Sequence, residues 1–299
     1  MKIPVKLESQ KILYLIFKNI LFMKIKYLFQ LLLFPILMTS CSRDAEPEKM
    51  VENEIVTNKV KTGFLYPDLR IQNLAEVNFM FEYDSQKRVT KKNGGFLSIS
   101  GSTGFNAVFT DKIYTSLLYN NDKVTVEDFY NSTEFTVPKN SKYFTLNSSN
   151  LIAEKEVPDR FSSYRYKKEF YSYKNGLLDE IKTTFPNALY DPTDPNDYIE
   201  TYSERFYYDA TGNLTRTEYF ELHDGVKTEN KRIRHFENYD NSGNPFKRFT
   251  LLDEYFYRSL SKNNFRSYRE EVYRFDELLS RKTQEWTFNY DANGQIIIN

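Results

Sequence analysis

One short pattern recurs along this chain, and it limits the fold more than any other feature. An aromatic stretch ends in Tyr-Asp, a turn follows, and an aliphatic residue resumes the chain. It reads Phe206-Tyr-Tyr208-Asp209-Ala-Thr-Gly212-Asn-Leu214, and again Phe288-Asn-Tyr290-Asp291-Ala-Asn-Gly294-Gln-Ile296. A third copy is Tyr239-Asp240-Asn-Ser-Gly243-Asn-Pro-Phe246, and a fourth, Phe81-Glu-Tyr83-Asp84-Ser-Gln-Lys87-Arg-Val89, has lysine where the others have glycine. Aromatics two apart share one face of an extended chain. Asp then opens a type I turn by accepting from backbone N–H groups two residues on, and Gly at the fourth position takes a positive φ at little cost. The unit is therefore a β-hairpin, and the spacing predicts that Gly212, Gly243 and Gly294 all adopt positive φ. At Lys87 the same geometry requires a non-glycine in that region, at a cost of roughly 1 kcal/mol. Tyr173-Lys-Asn175-Gly176-Leu177 predicts a tighter hairpin with a two-residue Asn-Gly turn.

The chain ahead of these hairpins reads as an export leader. Residues 1–40 are predicted to form it, with the signal peptide itself at 23–40 and Met23 a better start than Met1. Lys24 and Lys26 make a positive n-region, and Tyr27–Met38 is an apolar run too short to span a membrane alone. The run ends in Leu37-Met38-Thr39-Ser40-Cys41, which resembles a bacterial lipobox. Cys41 is the only cysteine, so no intramolecular disulfide is possible and acylation is its expected role. Asp44, Glu46, Glu48, Glu52 and Glu54 then make an acidic tether, placed at 41–62. Its acidity resembles the surface-export signal of Bacteroidetes lipoproteins; an ordinary solvated linker is the alternative.

Beyond residue 63 the composition favours strands. The chain holds 24 tyrosines and 25 phenylalanines, with turn signals between long extended candidates such as 70–83, 163–173, 198–208, 227–239, 246–258, 265–275 and 284–290. No helical crossover separates them, so successive strands pair antiparallel. The expected fold is all-β: a large antiparallel β-meander spanning 63–299, a single curled sheet or half-closed barrel built of hairpins. The Tyr-Asp-x-x-Gly-x-Leu/Ile pattern resembles the YD (RHS-like) repeat and the small YD-type lipoproteins of Bacteroidetes. That resemblance implies a long β-meander of uncharacterised function at the outer membrane; the tyrosines at 208, 239 and 290 depart from the dense tandem of true RHS arrays, which argues against their shell architecture.

The chemistry on offer is sparse. The full chain has 41 basic and 41 acidic groups; the leader holds six of the former and one of the latter, which leaves the remainder at −5. That balance argues against nucleic acid or an anionic membrane surface as partner. His223 and His235 lack a cysteine or third histidine for zinc, and no triad partner is evident. Asp191, Asp194 and Asp197 gather oxygen ligands in a proline-rich loop, a weak calcium candidate that lacks the glycine and distal glutamate of an EF-hand. Trp286, Phe288 and Tyr290 form either an aromatic platform for sugar rings or core packing. A membrane-spanning barrel conflicts with Glu200, Glu204 and Arg205, which occupy both faces of one strand. The expected function is that of a non-catalytic envelope lipoprotein without cofactor, held to the membrane by its lipid, with a surface binding or structural role. The alternative is a glycan-binding or glycan-active component of an outer-membrane uptake system.

Overall fold

The computed structural model describes residues 55–65, 77–98, 107–131, 140–159 and 161–298. All belong to the second of two compact units, Glu54–Asn299. Cys41, the signal-like run and most of the acidic tether lie outside the described residues.

One antiparallel sheet of 14 strands dominates, and every strand pairs with its neighbour in sequence. Its first half comprises β1 (Lys59–Lys61), β2 (Asn78–Tyr83), β3 (Val89–Ser98), β4 (Ala107–Asn120), β5 (Lys123–Tyr130), β6 (Ser141–Leu146) and β7 (Ile152–Val157). Its second half comprises β8 (Lys167–Lys174), β9 (Leu177–Thr184), β10 (Glu200–Tyr208), β11 (Leu214–His223), β12 (Val226–Glu237), β13 (Ser267–Arg274) and β14 (Glu277–Glu285). A separate two-stranded ribbon, β15 (Asn289–Tyr290) with β16 (Ile296–Ile297), closes the described chain. The expected all-β meander is what forms. The sheet begins inside the stretch assigned to the tether, however. β1 pairs with β2, and Val60 is fully buried. Thr62–Leu65 then makes one helical turn, α1, whose Phe64 joins the core.

Phe246–Arg258 departs from the sequence reading, which makes it an extended strand. It folds instead as consecutive tight turns: 3₁₀ turns at Lys247–Phe249 and Asp253–Tyr255, then a single helical turn, α2 (Phe256–Ser259). Phe246, Phe249, Leu252 and Tyr255 stand three apart, the period that stacks side chains on one edge of a 3₁₀ helix. The backbone bonds follow that period: Phe249 N–H donates to Phe246 O at 2.9 Å, Leu252 to Phe249 at 3.0 Å and Tyr255 to Leu252 at 3.0 Å. All four side chains are at most 2 % exposed.

This inner segment makes the sheet roll. Phe81 of β2 packs 5.7 Å from Tyr255, and Phe236 of β12 packs 5.5 Å from Tyr257. Two residues of chain span at most about 7 Å. A flat sheet would hold β2 and β12 ten spacings apart, about 48 Å. Both strands can touch residues two apart in one segment only if the sheet curls around it. One core cluster joins β1–β7 to Phe246–Tyr255, and a second joins β9–β12 to Phe256, Tyr257 and Leu260.

The roll stays open as a hydrogen-bonded sheet, since β1 and β14 do not pair. Its C-terminal residues bridge the gap. Trp286 Nε1 donates to Phe64 O at 2.7 Å, and Lys61 N–H donates to Ile298 O at 2.7 Å. The outer face carries cross-strand charge pairs: Lys168 with Glu154 at 2.8 Å, and Arg281 and Arg269 with Glu271 at 2.9 and 3.7 Å.

Candidate functional site

The repeated turns share one geometry. The Asp84 Oδ1 accepts from the backbone of Gln86 and Arg88, both at 2.9 Å. Asp209 does the same for Thr211 and Asn213, and Asp291 for Asn293 and Gln295, again all at 2.9 Å. The fourth residue lies in the left-handed region each time: Lys87 at φ 59°, Gly212 at 87° and Gly294 at 75°. The turn signal Asn147-Ser-Ser-Asn150 proves to be a further copy. Asn147 Oδ1 accepts from Ser149 and Leu151, and Asn150 takes φ 59°. Asn tolerates that region, so Asn147-Ser-Ser-Asn150 performs with two asparagines what Asp and Gly do elsewhere. Three of these turns lie at the same end of the roll, joining β2 to β3, β6 to β7 and β10 to β11.

The Asp240 copy breaks the rule, and Gly243 does not adopt positive φ. Pro245, where the other copies resume a strand, lacks the N–H a ladder needs. The chain instead turns inward to become the inner segment. Asp240 ties its start to its end: the Asp240 carboxylate accepts from Asn264 N–H at 3.0 Å, and Asp240 N–H donates to Asn264 O at 3.0 Å. Asn244 adds bonds to the carbonyls of Arg258 and Ser261 at 2.6 and 2.7 Å.

The three residues weighed as platform or core, Trp286, Phe288 and Tyr290, are divided. Trp286 packs edge-on to Phe265 at 5.7 Å, and its ring is covered by the Arg258 guanidinium at 4.5 Å. Phe288 stacks on Phe64 at 5.0 Å. Both serve the core. The strand expected over 284–290 breaks after Glu285, so only Tyr290 faces outward, and its hydroxyl donates to Asp240. Arg258 is itself buried among Phe64, Phe265 and Trp286; burial pushes its guanidinium down to about 9, while the ring faces and Phe265 O hold it.

Asp191, Asp194 and Asp197 do not converge as cation ligands. Each carboxylate caps nearby backbone: Asp191 takes Thr193 N–H, Asp194 takes Asn196 N–H, and Asp197 takes those of Asp191 and Tyr198. Among the described residues no group of three or more His, Cys, Asp and Glu side chains is placed to hold a metal. The two histidines are apart. His223 pairs with Val226, while His235 lies opposite Arg216. His235 is held below its ordinary range by burial and by Arg269.

What the structure brings together, and the sequence did not signal, is the inner wall of β9–β13. Register and alternation define it. Glu204 faces inward, because Tyr257 of the inner segment donates to its carboxylate at 3.0 Å. Arg234 meets the same carboxylate at 2.8 Å and Glu270 at 3.0 Å. Two residues from Glu204, Tyr202 shares its face, and Tyr219 lies directly opposite Glu204. Tyr202 and Tyr219 stack with centroids 5.1 Å apart, and Phe185 meets Tyr202 edge-on at 5.9 Å. All three rings are half-buried. Burial, reinforced by Glu200 for Tyr202 and Glu204 for Tyr219, pushes both phenols well above their usual range, so both are neutral hydroxyls near pH 7. Around them, Asn230 donates to Glu221 at 2.9 Å, and Arg232 lies 5.9 Å from the Tyr219 ring. Exposed apolar side chains occupy the loops at this end, among them Leu189, Ile199, Val226 and Phe275. Phe275 sits there at φ 52°, a region bulky residues avoid.

No family model and no curated protein matches this chain. Among solved structures it is similar to a porin-like protein from Bacteroides uniformis, at 12 % identity and TM-score 0.43, over 73 % of this chain and 80 % of that one. A porin-like protein from Bacteroides vulgatus is similar at 12 % identity and TM-score 0.39, over 80 % and 89 %.

Proposed function

We propose that this chain is a cell-envelope lipoprotein, anchored through an acylated Cys41, whose rolled β domain has a non-catalytic binding or structural role at the outer membrane surface. The leader supports the anchor: a basic n-region, the apolar run 27–38 and Thr39-Ser40-Cys41. For the domain, the observation that carries the reading is how the roll is filled. Its own segment 246–261 occupies the interior, and the inward carboxylates are committed to it or to the wall. Glu204 is held by Arg234 and Tyr257, Glu254 by Lys92, and Asp253 by Lys142 and Lys155. General acid–base work needs a carboxylate or imidazole aimed at a substrate, and these are aimed at partners in the protein. The charge pairs on the outer face speak against lipid contact there.

The alternative, a glycan-binding or glycan-active component of a nutrient-uptake system, draws on the half-buried Tyr202–Tyr219 pair. Two measurements test the main reading. Expressed in a bacterium, the parent chain fractionates with membranes and carries acyl mass, and Cys41→Ala is released. A soluble Cys41→Ala chain shows no turnover on glycan, ester or peptide substrates. Robust turnover abolished by one Asp or Glu substitution would overturn it in favour of the glycan-active alternative.

A further inference from the structure

We propose that the inner wall of β9–β13 is a binding site for a neutral saccharide, with Tyr202 and Tyr219 as its stacking floor. This deepens the reading of the domain as a binding module and rests on it. The floor is built, since two offset rings and the edge of Phe185 make one continuous aromatic surface that is only half-buried. Most aromatic side chains of the described residues are consumed by the two cores; Tyr202 lies on the side of Glu204 away from the buried Phe206, and Tyr219 lies opposite Glu204. The C–H faces of a pyranose ring are apolar and slightly electropositive, so they stack on the negative face of an aromatic ring.

The polar groups beside the floor set the ligand class. Glu221 accepts from Asn230 at 2.9 Å and is bonded through its other oxygen to His223 Nε2 at 2.7 Å; each carboxylate oxygen keeps a second lone pair, so Glu221 is an oriented acceptor beside an amide. Arg232, 5.9 Å from the Tyr219 ring and 3.8 Å from Glu270, supplies guanidinium donors. Hydroxyl groups need donors and acceptors alternating at close range, and this set alternates them. A phosphate or uronate would meet the Glu221 carboxylate, and a cation would meet Arg232, so neither sign of charge is favoured. The site lies at the end of the roll opposite the repeated turns, with Tyr202 two residues from the start of β10, and a chain of sugars can enter there.

The test is native gel electrophoresis of the full chain, solubilised in detergent, through gels cast with galactomannan, xyloglucan, mixed-linkage glucan, soluble starch or, as anionic controls, polygalacturonate and heparin. The proposal expects retardation by at least one neutral polysaccharide and by neither anionic one. Tyr219→Ala weakens that retardation by about tenfold or more, the order seen when one stacking ring is lost. Tyr219→Phe keeps it, which separates stacking from a folding defect, and Tyr143→Ala on the outer face leaves it unchanged. The idea is overturned if no neutral polysaccharide retards the chain, if only anionic ones do, or if a folded Tyr202→Ala/Tyr219→Ala chain binds like the parent. In each of those cases membrane fractionation and acylation at Cys41 are unaffected, so loss of this site and loss of the envelope reading are told apart.

Discussion

Phe249→Ala is the sharpest perturbation of the rolled interior. The Phe249 ring is 1 % exposed, stacks on Phe81 at 4.3 Å and meets Tyr255 edge-on at 4.9 Å. Removing it takes away one ring from each of these pairs and leaves a cavity between the inner segment and β2. Phe→Ala at such sites costs about 3–5 kcal/mol in total, the lost ring pairs included. In a domain of this size 1 kcal/mol shifts the melting temperature by about 2–4 °C. The expected fall is therefore about 6–20 °C. The assay is thermal unfolding of the Cys41→Ala chain, followed by near-ultraviolet circular dichroism because so many rings change environment together. Leu118→Ala is the matched control: Leu118 is 68 % exposed, and its loss should change stability by less than about 0.5 kcal/mol. A Phe249→Ala melt within 2 °C of the parent, on the same ~2–4 °C scale, would refute the packing of this segment inside the sheet.

The turns give two contrasting expectations. Gly212→Val should cost more than about 1 kcal/mol, because a β-branched residue resists φ 87°, whereas Gly243→Ala, with no positive φ and an added Cβ coming no nearer than 3.4 Å to Ile55, should melt like the parent. Asp209→Ala should lower stability by about 1–2 kcal/mol through loss of its bonds to Thr211 and Asn213, measured by urea unfolding at pH 7. Asp253 should contribute an acid-sensitive component. Burial raises its carboxyl, but Lys155 and Lys142 outweigh that and hold it at about 2. A depressed folded value stabilises above the unfolded value near 3.9 and is lost as pH falls through about 2. Its side chain is half exposed, so the effect is small; Lys155→Met should flatten the urea midpoint between pH 4 and 2, and an unchanged slope would contradict the pairing.

Much of this fold is legible in the chain because hairpins are local. Asp209 and Gly212 fix a turn by bonds within five residues, and Asn175–Gly176 needs only two positive φ values, observed at 53° and 76°. Lys87 was readable as a strained copy from its place in the pattern. Asn147-Ser-Ser-Asn150 is legible as a turn but not as a copy of the repeat, because it uses Asn in both special positions and the similarity to Asp and Gly is chemical rather than literal. Phe246–Arg258 escaped for a different reason. A fully buried segment shows no polar face, so alternation gives no signal, and its three-residue spacing was the only local clue. The inner wall is less legible still. Tyr202, Tyr219 and Arg232 lie on three strands, and only register brings them together. For Trp286 and Phe288 the sequence leans to core packing over a platform, and the contacts that decide it, Arg258 over the Trp286 ring and Phe64 against Phe288, come from distant parts of the chain.

Native-state hydrogen exchange of the segment 246–261 tests the central claim most directly. If the sheet is rolled around it, the amides of Phe249, Leu252 and Tyr255 exchange as slowly as those of β4 and β5, through opening of the whole domain. Exchange of these three amides within seconds, while β4 and β5 stay protected, would show that the stretch between β12 and β13 is a surface loop and that the sheet does not close around it.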